Sequence, residues 1–272
     1  MQLPPRSSQY RPDRVNDETR TEVARPGYPW RQFLILVVAG VFGFLVVIPY
    51  ALDRLPEGAP RPPIPLIILT SLVSGAVQMA IAVGVGLAAA RVVGLRAPIS
   101  QALAERGAVR EAIRLIDVPR AVILGVAASA AIIALDVTVF REASASFAQT
   151  GAATPSRIAG LLASFEGGIT EEILLRLFVM SALVWLLTRI SKRRPPAVFW
   201  VANILAAVLF GLLHLPATAA LVPLTPLIVT RAIVLNGLAG VVFGWLYWRR
   251  GLESAMVAHF SADIVLHALI GS

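Results

Sequence analysis

Seven stretches of the chain stay apolar for close to the ~20 residues a helix needs to cross a bilayer. They run roughly over 32–52, 65–90, 120–140, 158–188, 197–215, 226–248 and 252–270. Composition agrees: 57% of residues are hydrophobic and 15% charged, against about 45–50% and about 25% in soluble domains. An ordinary soluble globular protein, a disordered chain and a nucleic-acid scaffold are all excluded. Cysteine is absent, which removes disulfide frameworks, cysteine-based zinc sites and thiol nucleophiles. The predicted fold class is an all-α, polytopic integral membrane protein. It has seven transmembrane helices. An eighth is added if the long fourth stretch, interrupted by Gly167-Gly168, is a re-entrant segment followed by a span starting near Thr170.

Residues 1–31 hold six arginines and five prolines and offer no apolar face, so they are read as a flexible basic tail. A cleavable signal peptide does not fit, because the apolar run that follows is a full-length span. With the N-terminus inside and the runs alternating, inside segments hold 18 basic residues and outside segments 4. That asymmetry predicts a cytoplasmic N-terminus and an outer C-terminus. The arginine-rich, lysine-poor composition suggests a bacterial source, hence a bacterial plasma membrane. Within 97–117, Arg106, Arg110 and Arg114 recur every four residues beside Ala102, Leu103, Ala112, Ile113 and Ile116. This pattern predicts one amphipathic helix lying on the membrane surface. The first three spans, with that helix, form an N-terminal scaffold over 32–157. Residues 158–272 form a second, C-terminal membrane domain. No internal repeat is visible, which counts against a repeat-built transporter.

In such a chain the informative residues are ionisable ones inside the spans, each costing about 2.5–3.5 kcal/mol at mid-bilayer. Asp136, Glu166, Glu171, Glu172, Arg176, His214, Arg231, His259, Asp263 and His267 qualify, and most fall after residue 158. Glu172 and Arg176 are four apart and share a helix face, so they pair. At about 100° per residue, Glu171 lies well round the helix from Arg176 and is free to face a cavity. His259 and Asp263 are also four apart. No serine has a nucleophilic triad context, no Asp pair has the flanks of an aspartic dyad, and no HExxH zinc motif occurs. A glutamate base working with a histidine activates water without metal. A second histidine then donates to the developing oxyanion.

Glu171-Glu172-x-x-x-Arg176, Phe210-x-x-x-His214 and His259-x-x-x-Asp263 stand in this order on successive apolar helices. Together they resemble the CAAX protease and bacteriocin-processing (Abi) family, whose eukaryotic members are prenyl-protein CAAX endopeptidases. The resemblance covers about 165–270. It implies a metal-independent, glutamic-type intramembrane endopeptidase with no cofactor, acting on a peptide or membrane-protein segment within the lipid bilayer. It implies catalytic roles for Glu171, His214, His259 and Asp263, with Glu172, Arg176 and Phe210 supporting the site. Glu171 is the base and His214 its partner. His259 and residue 263 belong to the oxyanion hole. Where the eukaryotic enzymes resemble His-x-x-x-Asn, this chain has Asp263. An ionised aspartate repels an oxyanion, so Asp263 either carries a proton or orients His259, and orientation is preferred. A non-catalytic membrane scaffold or immunity-type relative is the alternative; a proton-coupled transporter fits less well. Asp136 and Glu166 are read as caps or cavity-mouth residues. Arg231 neutralises a carboxylate or meets lipid, and His267 is structural. Glu171 and His214 fall toward the outer ends of their runs and His259 toward the inner end of its own. These depths agree only if the helices tilt or the last span starts inside the membrane.

Overall fold

The computed structural model describes residues 27–55, 61–149 and 154–270. The basic tail before residue 27 lies outside them. Among the described residues the secondary structure is entirely helical. Seven helices are long and apolar enough to span a membrane: Trp30–Asp53, Ile64–Val93, Val109–Thr138, Arg157–Ser191, Pro196–Ala219, Pro226–Arg250 and Leu252–Ile270. These match the seven apolar runs one for one. Proline stands in the first turn of the second, fifth and sixth spans, where its missing N–H is no loss. Ser156 and Thr225 cap the fourth and sixth by accepting from the N–H groups of Ala159 and Ile228.

The fourth run is one span, not a re-entrant segment plus another. Arg157–Ser191 is continuous over 35 residues. It winds as a π-helix over Glu166–Glu171 and again over Ile173–Met180. Gly167 and Gly168 sit inside the first π stretch because the seventh span presses on both. A Cβ at Gly167 would strike the Asp263 carboxylate, and one at Gly168 would meet Phe260. Glu171 consequently lies near the middle of a long helix rather than at its outer end.

The apolar share alone does not say which spans form the centre, but burial does. The buried fraction is 17–22% in the first three spans and 39–44% in the last four. Val38, Leu69, Val73, Val77 and Ile81 face outward from the first two. The first span packs on the second, the third on the seventh and the fifth on the sixth. The seventh span lies in a cradle of close backbone approach: Gly125 of the third touches the Ala258 carbonyl, and Gly160 of the fourth touches that of His267. Its first turn is inside the protein. Leu252 N–H donates to the Arg96 carbonyl at 3.0 Å, and Ser100 N–H donates to Glu253 Oε1 at 2.8 Å. The last span therefore starts beneath a protein cover.

The segment 97–117 is two short helices, Pro98–Glu105 and Val109–Ile116, not one. Arg106 takes a left-handed conformation (φ +55°), and Gly107 N–H turns back to the Ala102 carbonyl at 2.8 Å. This closing turn swings Arg106 off the face it was expected to share with Arg110 and Arg114.

The glycine cradle yields a contrast. Gly125→Ala forces a methyl into the Ala258 backbone and is expected to destabilise by about 1–3 kcal/mol. Gly237→Ala, which meets only ordinary contact with the Ala207 carbonyl at 3.7 Å, is expected to be neutral or stabilising by up to about 1 kcal/mol. Thermal unfolding of the two purified variants in detergent checks it.

Candidate active site

The fourth span supplies two adjacent carboxylates with different surroundings. Glu172 is fully buried and its Oε1 lies 2.9 Å from Arg176 Nη1. The α-helical spacing predicted this pair, and it survives the π winding. The winding changes the place of Glu171. Closed by i→i+5 hydrogen bonds, a π turn takes about 4.4 residues, so positions five apart return to within roughly 50° of each other. Glu171 thus swings toward the Arg176 face instead of lying well round the helix. Both glutamates meet the same imidazole on the seventh span.

That imidazole is His259. Its Nδ1 is 2.8 Å from Glu172 Oε1. Its Nε2 is 3.6 Å from Glu171 Oε2 and 3.6 Å from Asp263 Oδ2. The ring stacks on Phe243 of the sixth span, with centroids 4.6 Å apart and planes 23° from parallel. Glu172 is therefore what orients His259. Asp263 stays beyond hydrogen-bond length of Nε2, on the same side as Glu171.

The buried arginine is enclosed as thoroughly. Arg176 Nη2 donates to the Gly240 carbonyl at 3.0 Å. Its guanidinium lies 5.1 Å from the Phe210 ring centre and 5.5 Å from that of Phe243. Each ring presents a negative π face to a cation that has no water. Gly240 lets the sixth span come close enough for the carbonyl contact.

The fifth span contributes Phe210 and His214. The Phe210 ring meets His214 edge-on at 4.8 Å and His259 edge-on at 5.7 Å. His214 Nδ1 is 2.9 Å from the Phe210 carbonyl. A carbonyl only accepts, so Nδ1 carries the proton and the lone pair of a neutral ring sits on Nε2. Among the described residues no hydrogen bond or ion pair joins His214 to Glu171.

The expected residues thus gather from three spans. Glu171, Glu172, Arg176, Phe210, His259 and Asp263 are in mutual contact, with His214 alongside. Glu166 opens the π stretch that ends at Glu171. Asp136 and Arg231 lie elsewhere. They form a two-pronged pair at 2.7 and 2.8 Å, to which Ser144 adds a hydrogen bond at 2.7 Å. His267 is not isolated: Nδ1 is 3.3 Å from the Tyr50 hydroxyl and Nε2 is 3.9 Å from Asp263. Three contributors escaped the sequence reading. Phe243 looked like another apolar position, although its flanks Gly240 and Gly244 mark a helix made for close approach. Gly167 was noted only as a possible break. Glu253, second residue of the last span, was not among the ionisable residues singled out, although it anchors that span's first turn to Ser100.

An all-helical polytopic membrane protein with a carboxylate–imidazole cluster at the centre of its C-terminal spans is the class defined by this fold and site. Residues 153–265 match the family model described as type II CAAX prenyl endopeptidase Rce1-like. That segment holds every residue of the cluster, and the family is the one its motifs resemble. The match supports a membrane protease-type function. Comparison with curated proteins and with solved structures gave no match.

Removing one partner of the buried pair strands a charge. Arg176→Ala is expected to cost about 3–5 kcal/mol of stability, whereas Glu172→Gln combined with Arg176→Met should recover most of it. Thermal unfolding in detergent of the single and double variants measures the difference.

Proposed function

We propose that the chain is an intramembrane endopeptidase that hydrolyses a peptide bond with water activated by Glu171 and His214, without a metal. The observation that carries this reading is the split between neighbouring carboxylates. Glu172 is committed to Arg176 and His259, while Glu171 makes no arginine contact and stays 3.6 Å from the nearest imidazole nitrogen. A base must be free to take a proton, and Glu171 is the free one.

In this mechanism water sits between Glu171 and His214. His214 accepts one water hydrogen bond through Nε2, the nitrogen left bare by the Phe210 carbonyl bond. Glu171 takes the other proton as the water oxygen bonds to the scissile carbonyl carbon. The carbonyl oxygen becomes an oxyanion. His259 donates to it through Nε2, which requires both ring protons, since Nδ1–H is held by Glu172. Asp263 flanks the same nitrogen at 3.6 Å. Collapse of the intermediate breaks the C–N bond, and Glu171 returns its proton to the departing amine.

The substrate class is a peptide or a membrane-protein segment. The distribution of arginines supports a cytoplasmic N-terminus in a bacterial plasma membrane.

The test needs no known substrate. Protein termini are compared by mass spectrometry in membranes and medium of cells lacking the protein, complemented with wild type or Glu171→Ala at matched abundance. Termini that appear with wild type and fall by at least about 100-fold with Glu171→Ala are expected. Cleavage in isolated membranes should persist in excess chelator. Full activity of Glu171→Ala overturns the assignment of the base. Identical termini in all cells would favour a non-catalytic membrane scaffold.

A further inference from the structure

Away from the carboxylate–imidazole cluster, at the arginine-rich end of the bundle, the turns after the second and sixth spans enclose a half-open cavity. It has about 540 Å³ of empty space, its open mouth included. Its wall includes Arg96, Arg249, Arg250, Leu115, Trp248 and Gly251. Gly251 shapes it: its φ of +107° turns the chain sharply between two spans, and a Cβ there would strike Pro98.

Charge in this cavity is unbalanced. Among the described residues the only nearby ion pairs involve Asp117, which lies 3.6 Å from Arg250 and 3.8 Å from Arg120. One carboxylate therefore answers two arginines. Among the described residues neither Arg96 nor Arg249 has a carboxylate partner, and Arg249 lies against the Trp248 ring at 5.1 Å. The rim is apolar where it meets the bilayer. Leu115 is exposed, and Trp248 stacks on Phe199 at 4.8 Å with Trp200 edge-on beside it. Aromatic side chains grouped at span ends mark the level of the headgroups. Arginines in the wall, Arg96 and Arg249 among them exposed, and aromatic, apolar side chains beside them match an anionic headgroup with its acyl chains against the apolar side.

We infer that this cavity binds the phosphodiester headgroup of an anionic phospholipid. The bound lipid sits against the joint that anchors the last span. The Arg96 carbonyl holds Leu252 N–H, and the helix that opens at Pro98 carries Ser100 onto Glu253. A phosphate drawn between Arg96 and Arg249 ties the second span to the sixth and steadies the start of the helix bearing His259.

Thermal unfolding of the full chain in neutral detergent tests this without any assay of cleavage. Phosphatidylglycerol is expected to raise the midpoint by about 5 °C at saturation, and phosphatidylcholine not to. Arg96→Gln with Arg249→Gln should lose at least half of that rise. Arg193→Gln, an exposed arginine at the same end but outside the cavity, should keep it. Native mass spectrometry of the wild type should retain phosphatidylglycerol through detergent removal, in preference to phosphatidylcholine. Equal stabilisation by both lipids, an undiminished rise in the double variant, or no retained phosphatidylglycerol overturns the proposal. Stabilisation by soluble glycerol phosphate alone also overturns it, since the site then takes a free phosphate rather than a lipid.

Discussion

Burying an arginine in the middle of a membrane protein sets conditions on everything around it. The guanidinium of Arg176 has lost its water, with 1% of its side chain exposed, and each of its faces and edges needs a substitute. Glu172 supplies the countercharge from one turn away, Gly240 a carbonyl, and Phe210 and Phe243 two π faces. These partners come from the fourth, fifth and sixth spans, so satisfying one cation fixes three helices relative to one another. The same partners then arrange the chemistry. Glu172 orients His259, Phe243 stacks on it, and Phe210 lies between it and His214. The arginine takes no part in the proposed proton transfers, yet both histidines of the cluster rest against side chains that also hold Arg176.

The second constraint is the close approach of backbones around the last span. No strong hydrophobic force drives helices together in lipid, so contact area and polar bonds must do it. Gly125, Gly160, Gly167 and Gly168 allow the third and fourth spans to meet the seventh with nothing between. At Gly167 the gain is chemical as well as steric, because the missing side chain leaves room for the Asp263 carboxylate.

Much of this was legible in the sequence. Seven spans could be read because a bilayer demands long apolar windows, and each window found its helix. The polar cluster could be read because ionisable residues in such windows stand out, and the Glu172–Arg176 pair followed from spacing alone. The π winding could not be read. Local sequence does not reveal an i→i+5 ladder, so the direction of Glu171 was drawn on the wrong helical period. Phe243 was invisible because an aromatic residue in an apolar helix carries no mark of what it stacks on. The break at Arg106 was missed for a related reason. Arginines every four residues imitate one continuous face, and a single left-handed residue before Gly107 ends it. Arg231 was left open between a carboxylate and lipid, and only the fold brings Asp136 to it from 95 residues away.

The order in which the parts of the cluster are made differs from the order in which they meet. Glu172 and Arg176 lie one turn apart and find each other as soon as their helix winds. His259 is 87 residues later in the chain than Glu172, on the seventh of the described spans. Its helix must slide into a glycine-lined cleft whose walls and cover, Arg96 and Ser100 among them, were synthesised long before. The buried charge is thus neutralised when the fourth span forms, whereas the imidazole arrives only with the seventh. A ribosome-bound intermediate can hold its arginine safely in the bilayer while lacking the imidazole of the cluster. Assembly itself therefore delays the reactive arrangement until the rest of the bundle is in place.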